Sequence, residues 1–391
     1  MKIGRALRQV KIVLTGGPAG GKSKGLKRIK ECQEILELGW DVVTTPESAT
    51  IIIPCGFSPP KFLKLPDRKK YLEMQKLIFN THLFLEDSIK DTAKEVFGEL
   101  VLMTHDRGIP DIKCYNTEEE YQNFLHSRKM FEIEARDGRY DAVFHLATIA
   151  DTDPELYMKI YGENEARYED TPEKAIAADL KTRAAWLGHP HFRVIPNRTL
   201  DGKILSFEEK MRLLTLYVKQ ILAENPLEVE KKFFLHNPVE LATFPVPFVK
   251  IEIEQIYLSG AAHKDRIRRR TQNGHSLYYR TRKKSTKTAG VKTEKERKIG
   301  HEEYEGLKEL ADRHRRPILK DRIHFLWKNQ SFELDIYRSP EQIAGMAILE
   351  NELLSEEGLA SQNAVEVPEW LGKYDDVTGK KEYSNRSLAR K

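Results

Sequence analysis

Apolar residues gather into short, nearly continuous runs over the first 225 residues. QVKIVLT (Gln9–Thr15), WDVVTT (Trp40–Thr45), ELVLMTHDRG (Glu99–Gly108), YDAVFHLA (Tyr140–Ala147) and FRVIPN (Phe192–Asn197) each read as a strand. Between them the spacing becomes helical. Leu26, Ile29, Ile35 and Leu36 predict a helix over Gly25–Gly39, and Arg68–Lys94 reads as a longer one. Strands with few polar positions, alternating with helices, predict a parallel sheet covered on both faces.

After AENP (Ala223–Pro226) the period falls to two. Glu228, Glu230 and Lys232 alternate in LEVEKKFFL, and Arg266, Arg268 and Arg270 in RIRRR. Glu294 and Glu296, Lys320 and Arg322, Glu333 and Asp335, and Glu350 and Glu352 repeat the habit. Alternate side chains of a strand share one face. Each strand therefore carries charge on one face and apolar groups on the other. Either the charged face meets bulk water, as in any half-exposed antiparallel sheet, or the strands close around a charged interior. In a closed barrel the basic strands hold phosphates and the acidic strands hold Mg²⁺ or Mn²⁺ through carboxylate oxygens.

The candidate chemistry of the first half lies in LTGGPAGGKSKG, between the first strand and the first helix. Gly16, four residues, then Gly21, Lys22 and Ser23 fit the phosphate-loop pattern. The loop Gly16, Gly17, Pro18, Ala19, Gly20 and Gly21 forms the cradle through its main-chain N–H groups, of which Pro18 has none, aided by the helix N-terminus. Lys22 bridges the β- and γ-phosphates, and the Ser23 hydroxyl meets Mg²⁺. Asp106, ending an apolar strand, stands where a second Mg²⁺-contacting carboxylate belongs. Arg107 reaches phosphates or pairs with a carboxylate. Glu47 ends the second strand, where it serves as general base toward a phosphate acceptor or is a solvated loop residue. Tyr161–Ala175 reads as a polar lid closing Arg167 on the γ-phosphate, or as an ordinary helix start. Asn197 is a candidate contact to the base. The guanine-reading NKxD signature is absent, and GTP and ATP both stay open.

Composition adds limits. The chain has 391 residues and a net charge of +5. His263–Lys298 holds 14 Lys and Arg against 3 Asp and Glu, which calls for a polyanion. That stretch contains no recognised nucleic-acid module, so nucleic acid is not the expected partner. The three cysteines show no CxxC spacing, which argues against a zinc site or a disulfide framework. No apolar run reaches the roughly 18 residues of a membrane span, and no secretory leader is legible. The expectation is a cytoplasmic protein.

Eight segments of the second half resemble, in order, the CYTH or triphosphate tunnel metalloenzyme family. They are LEVEKKF, IEQIYL, RIRRR, YYRTRKK, TEKERKI, LKDRIHF, FELDIY and ILENEL. That family's ExExK signature falls on Glu228, Glu230 and Lys232. The first half resembles the P-loop domain of nicotinamide-riboside-kinase-type proteins, with DRG at Asp106–Gly108. In tandem the two resemble the TRPL translocation defect protein fourteen family. The resemblance implies an α/β P-loop domain with a parallel sheet (1–225), then an antiparallel β-barrel of the triphosphate tunnel type (226–367) and a C-terminal tail (368–391). It implies GTP binding in the first domain and phosphoinositide phosphates in the second, with peripheral contact to endomembranes and a role in membrane-protein trafficking. It places Lys232, Arg266, Arg268, Lys283, Lys320 and Arg322 on the anion. It places Glu228, Glu230, Glu294, Glu296, Asp335, Glu350 and Glu352 toward metal. The alternative is an enzyme: a small-molecule kinase, a metal-dependent triphosphatase, or both.

Overall fold

A computed structural model of the chain describes residues 8–57, 68–161, 169–223, 227–259, 264–285, 291–354 and 364–391. It comprises two units, Met1–Thr215 and Leu216–Lys391.

The first unit is built on five parallel strands: β1 (Arg8–Thr15), β2 (Asp41–Thr45), β3 (Leu100–Asp106), β4 (Ala142–Leu146) and β5 (Phe192–Ile195). Their order is β2-β3-β1-β4-β5. Ile12, Val13 and Leu14 of β1 are fully buried, as a strand covered on both faces requires. β1 lies between β3 and β4, so its carboxyl end opens where the strand order reverses. In α/β sheets that is where ligands bind.

Helix α1 (Lys22–Lys30) follows β1. The single helix expected over Gly25–Gly39 is instead two, because Cys32 is extended and α2 (Gln33–Glu37) starts afresh. At about 100° per residue a straight helix sets Ile35 about 120° around from Ile29. The break brings both into the core, and each is fully buried. The other helices used below are α3 (Ser48–Ile52), α4 (Arg68–Val96), α5 (Glu118–Ser127), α6 (Pro154–Tyr161), α7 (Pro172–Trp186) and α8 (Phe207–Leu222).

The second unit is an antiparallel sheet. Its strands are β6 (Leu227–Leu235), β7 (Phe248–Tyr257), β8 (Lys264–Gln272), β9 (His275–Ser285), β10 (Val291–Ile299), β11 (Ile318–Trp327), β12 (Gln330–Ser339), β13 (Ala347–Leu353) and β14 (Tyr374–Asp376). The order is β10-β9-β8-β7-β11-β12-β13-β6-β14. Strand β6 pairs along one edge with β13. Its other edge is divided: Leu227–Val229 pair with β10 and Phe233–Leu235 with β14. Two hairpins turn on left-handed pairs, Asn273-Gly274 (φ 49 and 81) and Lys328-Asn329 (φ 46 and 63), the backbone that two-residue turns need.

The two faces of this sheet differ. Phe233, Leu235, Ile323, Phe325, Phe332, Leu334 and Leu349 are buried with Val367 and Leu371, and Phe244 and Trp370 pack against them. The charged residues lie on the opposite face of the same strands.

Candidate functional site

In the first unit the loop after β1 presses its backbone onto β4. A Cβ on Gly16 or Gly20 would stand 2.2 or 2.3 Å from the Leu146 carbonyl oxygen, so neither position admits a side chain. Gly16 also sits at φ 142. Lys22, the first residue of α1, folds back over the loop and donates to the Gly16 and Gly17 carbonyls, each at 3.1 Å. Burial and the charge of Arg107 lower its pKa to about 8. Ser23 follows on the exposed side of α1.

Asp106 and Arg107 close β3. Burial and the neighbouring Glu47 raise the Asp106 carboxyl to about 6, against the pull of Lys22. Its Oδ1 is buried with no hydrogen-bond partner. A buried carboxylate oxygen without a donor fits a divalent cation, and Asp106 with Ser23 are the residues that would hold Mg²⁺. Arg107 adopts φ 68 and donates through Nε to Glu47 Oε1 at 2.5 Å. Its Nη1 lies 3.4 Å from the Gly16 carbonyl oxygen. Burial acts to raise the Glu47 carboxyl, but Arg107 and Lys22 together hold it below the ordinary carboxylate range.

Three buried residues that the sequence pattern did not single out brace this loop. Asp111 accepts from the Thr15 hydroxyl and, at 2.9 Å, from the Gly108 amide. Asp179 Oδ1, on α7, accepts from the Gly17 and Thr148 amides, both at 3.0 Å. Lys210, on α8, donates to the carbonyls of Gly20 at 3.0 Å and Ala147 at 2.7 Å, and to Asn197 Oδ1 at 2.6 Å. Asn197 in turn donates to the Thr148 carbonyl at 2.6 Å. Its side chain is thus committed to the floor under the loop. Arg167 lies outside the described residues.

The Asp106 carboxyl makes a signed prediction. Below pH about 4 it is protonated whether the chain is folded or not. Between about 4 and 6 the unfolded chain releases a proton that the folded one keeps, so stability falls across that window and the deficit persists above it. At about 1.4 kcal/mol per pK unit, Asp106→Asn should recover about 3 kcal/mol at neutral pH in the ligand-free protein while weakening Mg²⁺–nucleotide binding. Thermal melts with and without ligand, at pH 4 and 7.5, check both signs.

In the second unit, strand register puts the predicted anion and metal residues on one face, except that the side chains of Glu228, Lys283 and Glu294 lie outside those described. Arg322 lies opposite Asp335, Glu350 opposite Lys232, and Glu352 opposite Glu230. Arg266 lies opposite Thr281, Arg268 opposite Tyr279, and Lys283 opposite Glu294. Glu296 and Glu228 follow at Thr281 and Lys292. Arg282 takes the other face, 3.4 Å from Asp265. Glu252 and Glu254 also point that way, Glu254 accepting from the Tyr304 hydroxyl at 3.0 Å.

This charged face is buried. Lys320 is 1% exposed, Arg270 1%, Arg266 and Arg322 6%, Asp335 0%, Glu350 8% and Lys232 9%. One set of these groups is paired internally. Arg322 binds Asp335 through Nε and Nη2, both at 2.7 Å, and Glu350 through Nη2 at 3.0 Å. Lys320 donates to Asp335, and Lys232 to Glu350. Burial acts to raise both carboxyls. Arg322 and Lys320 nonetheless hold Asp335 low, and Lys232 and Arg322 hold Glu350 low. The Arg266, Arg268 and Arg270 stripe on β8 has uncharged residues opposite it on both sides: Tyr257, Gln255 and Ile253 on β7, and Thr281, Tyr279 and Leu277 on β9. The Glu296 carboxylate lies 3.7 Å from Arg268 and accepts from Thr281 at 2.6 Å. Among the described residues no three His, Cys, Asp or Glu side chains form a group that could hold a metal ion. None of the described helices is long and apolar enough to cross a membrane.

No curated protein matches the chain. Similar solved structures include that of the inorganic triphosphatase NE1496, 26% identical over 41% of this chain and 93% of that one, with a TM-score of 0.28. The PH1819 protein from Pyrococcus horikoshii OT3 is 23% identical over 38% and 93%, with a TM-score of 0.31. The family model described as an AAA domain matches residues 11–200, the stretch that holds the glycine-rich loop, Glu47, Asp106 and Arg107: the first unit carries a P-loop-type nucleotide-binding domain.

Proposed function

We propose that the chain is a two-site anion binder: a nucleoside triphosphate with Mg²⁺ on the P-loop, and a polyphosphate-bearing ligand against the charged face of the second unit. The observation that supports the second site most directly is the burial of a face that carries Lys232, Arg266, Arg270, Lys320 and Arg322. Arg266, Arg268 and Arg270, side by side on one strand face, offer the charge-assisted donors that suit a polyphosphate. The pairing of β6 with both β13 and β10 supports a closed tunnel as the form of the site. Inorganic tripolyphosphate and a phosphoinositide headgroup share the chemistry the stripe selects. A lipid headgroup is the ligand that would give the protein a place in membrane trafficking. A divalent ion entering with the ligand would compete with Lys232, Lys320 and Arg322 for Glu350 and Asp335.

The test is calorimetric titration with tripolyphosphate and with soluble inositol phosphates, alongside sedimentation with phosphoinositide or phosphatidylserine vesicles of equal charge. Arg268→Ala should weaken binding about tenfold, the loss of one charge-assisted contact. Equal binding to both vesicle types that disappears at modest salt would reduce the site to a basic surface patch.

A second reading, phosphoryl transfer by the first unit, draws on Glu47, which lies against Arg107 beside the loop. A carboxylate there can take the proton of an acceptor hydroxyl while Lys22 and Mg²⁺ stabilise the transferred group.

A further inference from the structure

Arg107 and Glu47 are sixty residues apart in the chain, yet their side chains meet beside the phosphate loop. Arg107 is held there in an unusual way. Its backbone sits at φ 68, in the left-handed region that a branched-chain or long residue enters at a cost, and its amide is anchored to the Leu14 carbonyl at 3.0 Å. The strand end therefore aims the guanidinium rather than letting it choose. Nε engages Glu47 and Nη1 lies near the Gly16 carbonyl and 3.9 Å from Asp111. Lys22 bonds that same Gly16 carbonyl at 3.1 Å. Two cations thus converge on one backbone oxygen at the mouth of the loop, where no carboxylate bonds Lys22 among the described residues. Glu47 has a second anchor of its own, the Thr50 hydroxyl on α3 at 2.9 Å. It can give up Arg107 without being stranded.

We infer that Arg107 is a terminal-phosphate sensor that exchanges partners: Glu47 holds it in the ligand-free site, and the γ-phosphate of a nucleoside triphosphate takes it away. This rests on the reading of the loop as a triphosphate site and adds its regulation. The exchange trades one charge-assisted bond for another, so it is reversible and needs no large motion. Its result is to report the third phosphate at Glu47: a diphosphate, ending short of Arg107, leaves the pair closed, whereas a triphosphate opens it. Glu47 and the γ-phosphate are then competitors for one guanidinium, and removing either side has opposite effects on affinity.

The experiment is a fluorescence titration of the full chain with N-methylanthraniloyl derivatives of GTP, GDP, ATP and ADP in Mg²⁺. Glu47→Gln should raise triphosphate affinity about threefold to tenfold, and Arg107→Gly should lower it about tenfold, the scale of one charge-assisted hydrogen bond. Both should leave diphosphate affinity within about twofold. Glycine is chosen because it keeps the left-handed backbone without strain, so the variant loses the guanidinium and not the turn. In the double variant the gain from Glu47→Gln should vanish. Glu47→Gln that leaves the triphosphate-to-diphosphate ratio unchanged or lowers it overturns the inference, as does Arg107→Gly that weakens both nucleotides equally. If binding is present and lost in Lys22→Ala while the ratio ignores both variants, only the sensor fails. If no nucleotide binds the unaltered protein, the triphosphate site fails with it.

Discussion

Lys22→Ala is expected to lower the affinity for Mg²⁺–nucleoside triphosphate by two orders of magnitude or more. A lysine that bridges the β- and γ-phosphates makes two charge-assisted bonds, each worth about 1.5–3 kcal/mol. The ligand-free protein should tolerate the change well. There Lys22 donates to the Gly16 and Gly17 carbonyls, and burial has already lowered its pKa to about 8. Its removal therefore relieves a desolvated charge. Tripolyphosphate binding by the second unit should not move. Calorimetry with both ligands on one preparation makes the comparison, and an unchanged nucleotide affinity would remove the P-loop assignment.

The second large effect is on stability. Asp335 is fully buried and accepts from both Lys320 and Arg322. Asp335→Ala leaves those two cations buried with one carboxylate fewer, and breaking such a set costs about 3–5 kcal/mol. Urea unfolding should show the loss in the transition of the second unit, which holds Trp327 and Trp370, and not in that of the first, which holds Trp40 and Trp186. Tripolyphosphate should restore part of the loss, because it binds only the folded form and supplies the missing negative charge. The same carboxyl sets a pH limit. Its pKa is held below that of the unfolded chain, so its contribution is full above pH about 4 and disappears as the pH falls through the folded value. A loss under about 1 kcal/mol would mean that water reaches this face freely.

The phosphate loop was legible because every element of its motif is contiguous: strand, glycines, Lys22 and helix. The shared face of Arg266, Arg268 and Arg270 was legible for the same reason, since period two is a local property. What the acids on neighbouring strands do was not. The alternating pattern and the resemblance place Asp335 and Glu350 toward metal; register adds Arg322 opposite Asp335 and Lys232 opposite Glu350. Register is decided by pairing between segments far apart, and a shift of one residue would have turned each side chain to the other face. The same limit hid the Arg107–Glu47 contact and the bracing by Asp179 and Lys210. Asn197 stands at a strand end, as a base-contacting residue would. Only the fold shows that Lys210, thirteen positions later on α8, takes its carbonyl oxygen. The break at Cys32 was also out of reach, since Leu26, Ile29 and Leu36 alone fit one continuous helix.

Strand β14 is only three residues long, but it covers the stretch of β6, Phe233–Leu235, that β10 leaves bare. Main-chain amides and carbonyls on an uncovered strand are a template on which another molecule can add its own strand. Here they are spent inside the chain. The new outer rim carries Asp375 and Asp376, with side chains 57% and 50% exposed, which lie 3.0 Å from His236 and 3.6 Å from Lys231, respectively. The cover on this edge of β6 is therefore supplied by residues 374–376, far in sequence from the strand they pair with.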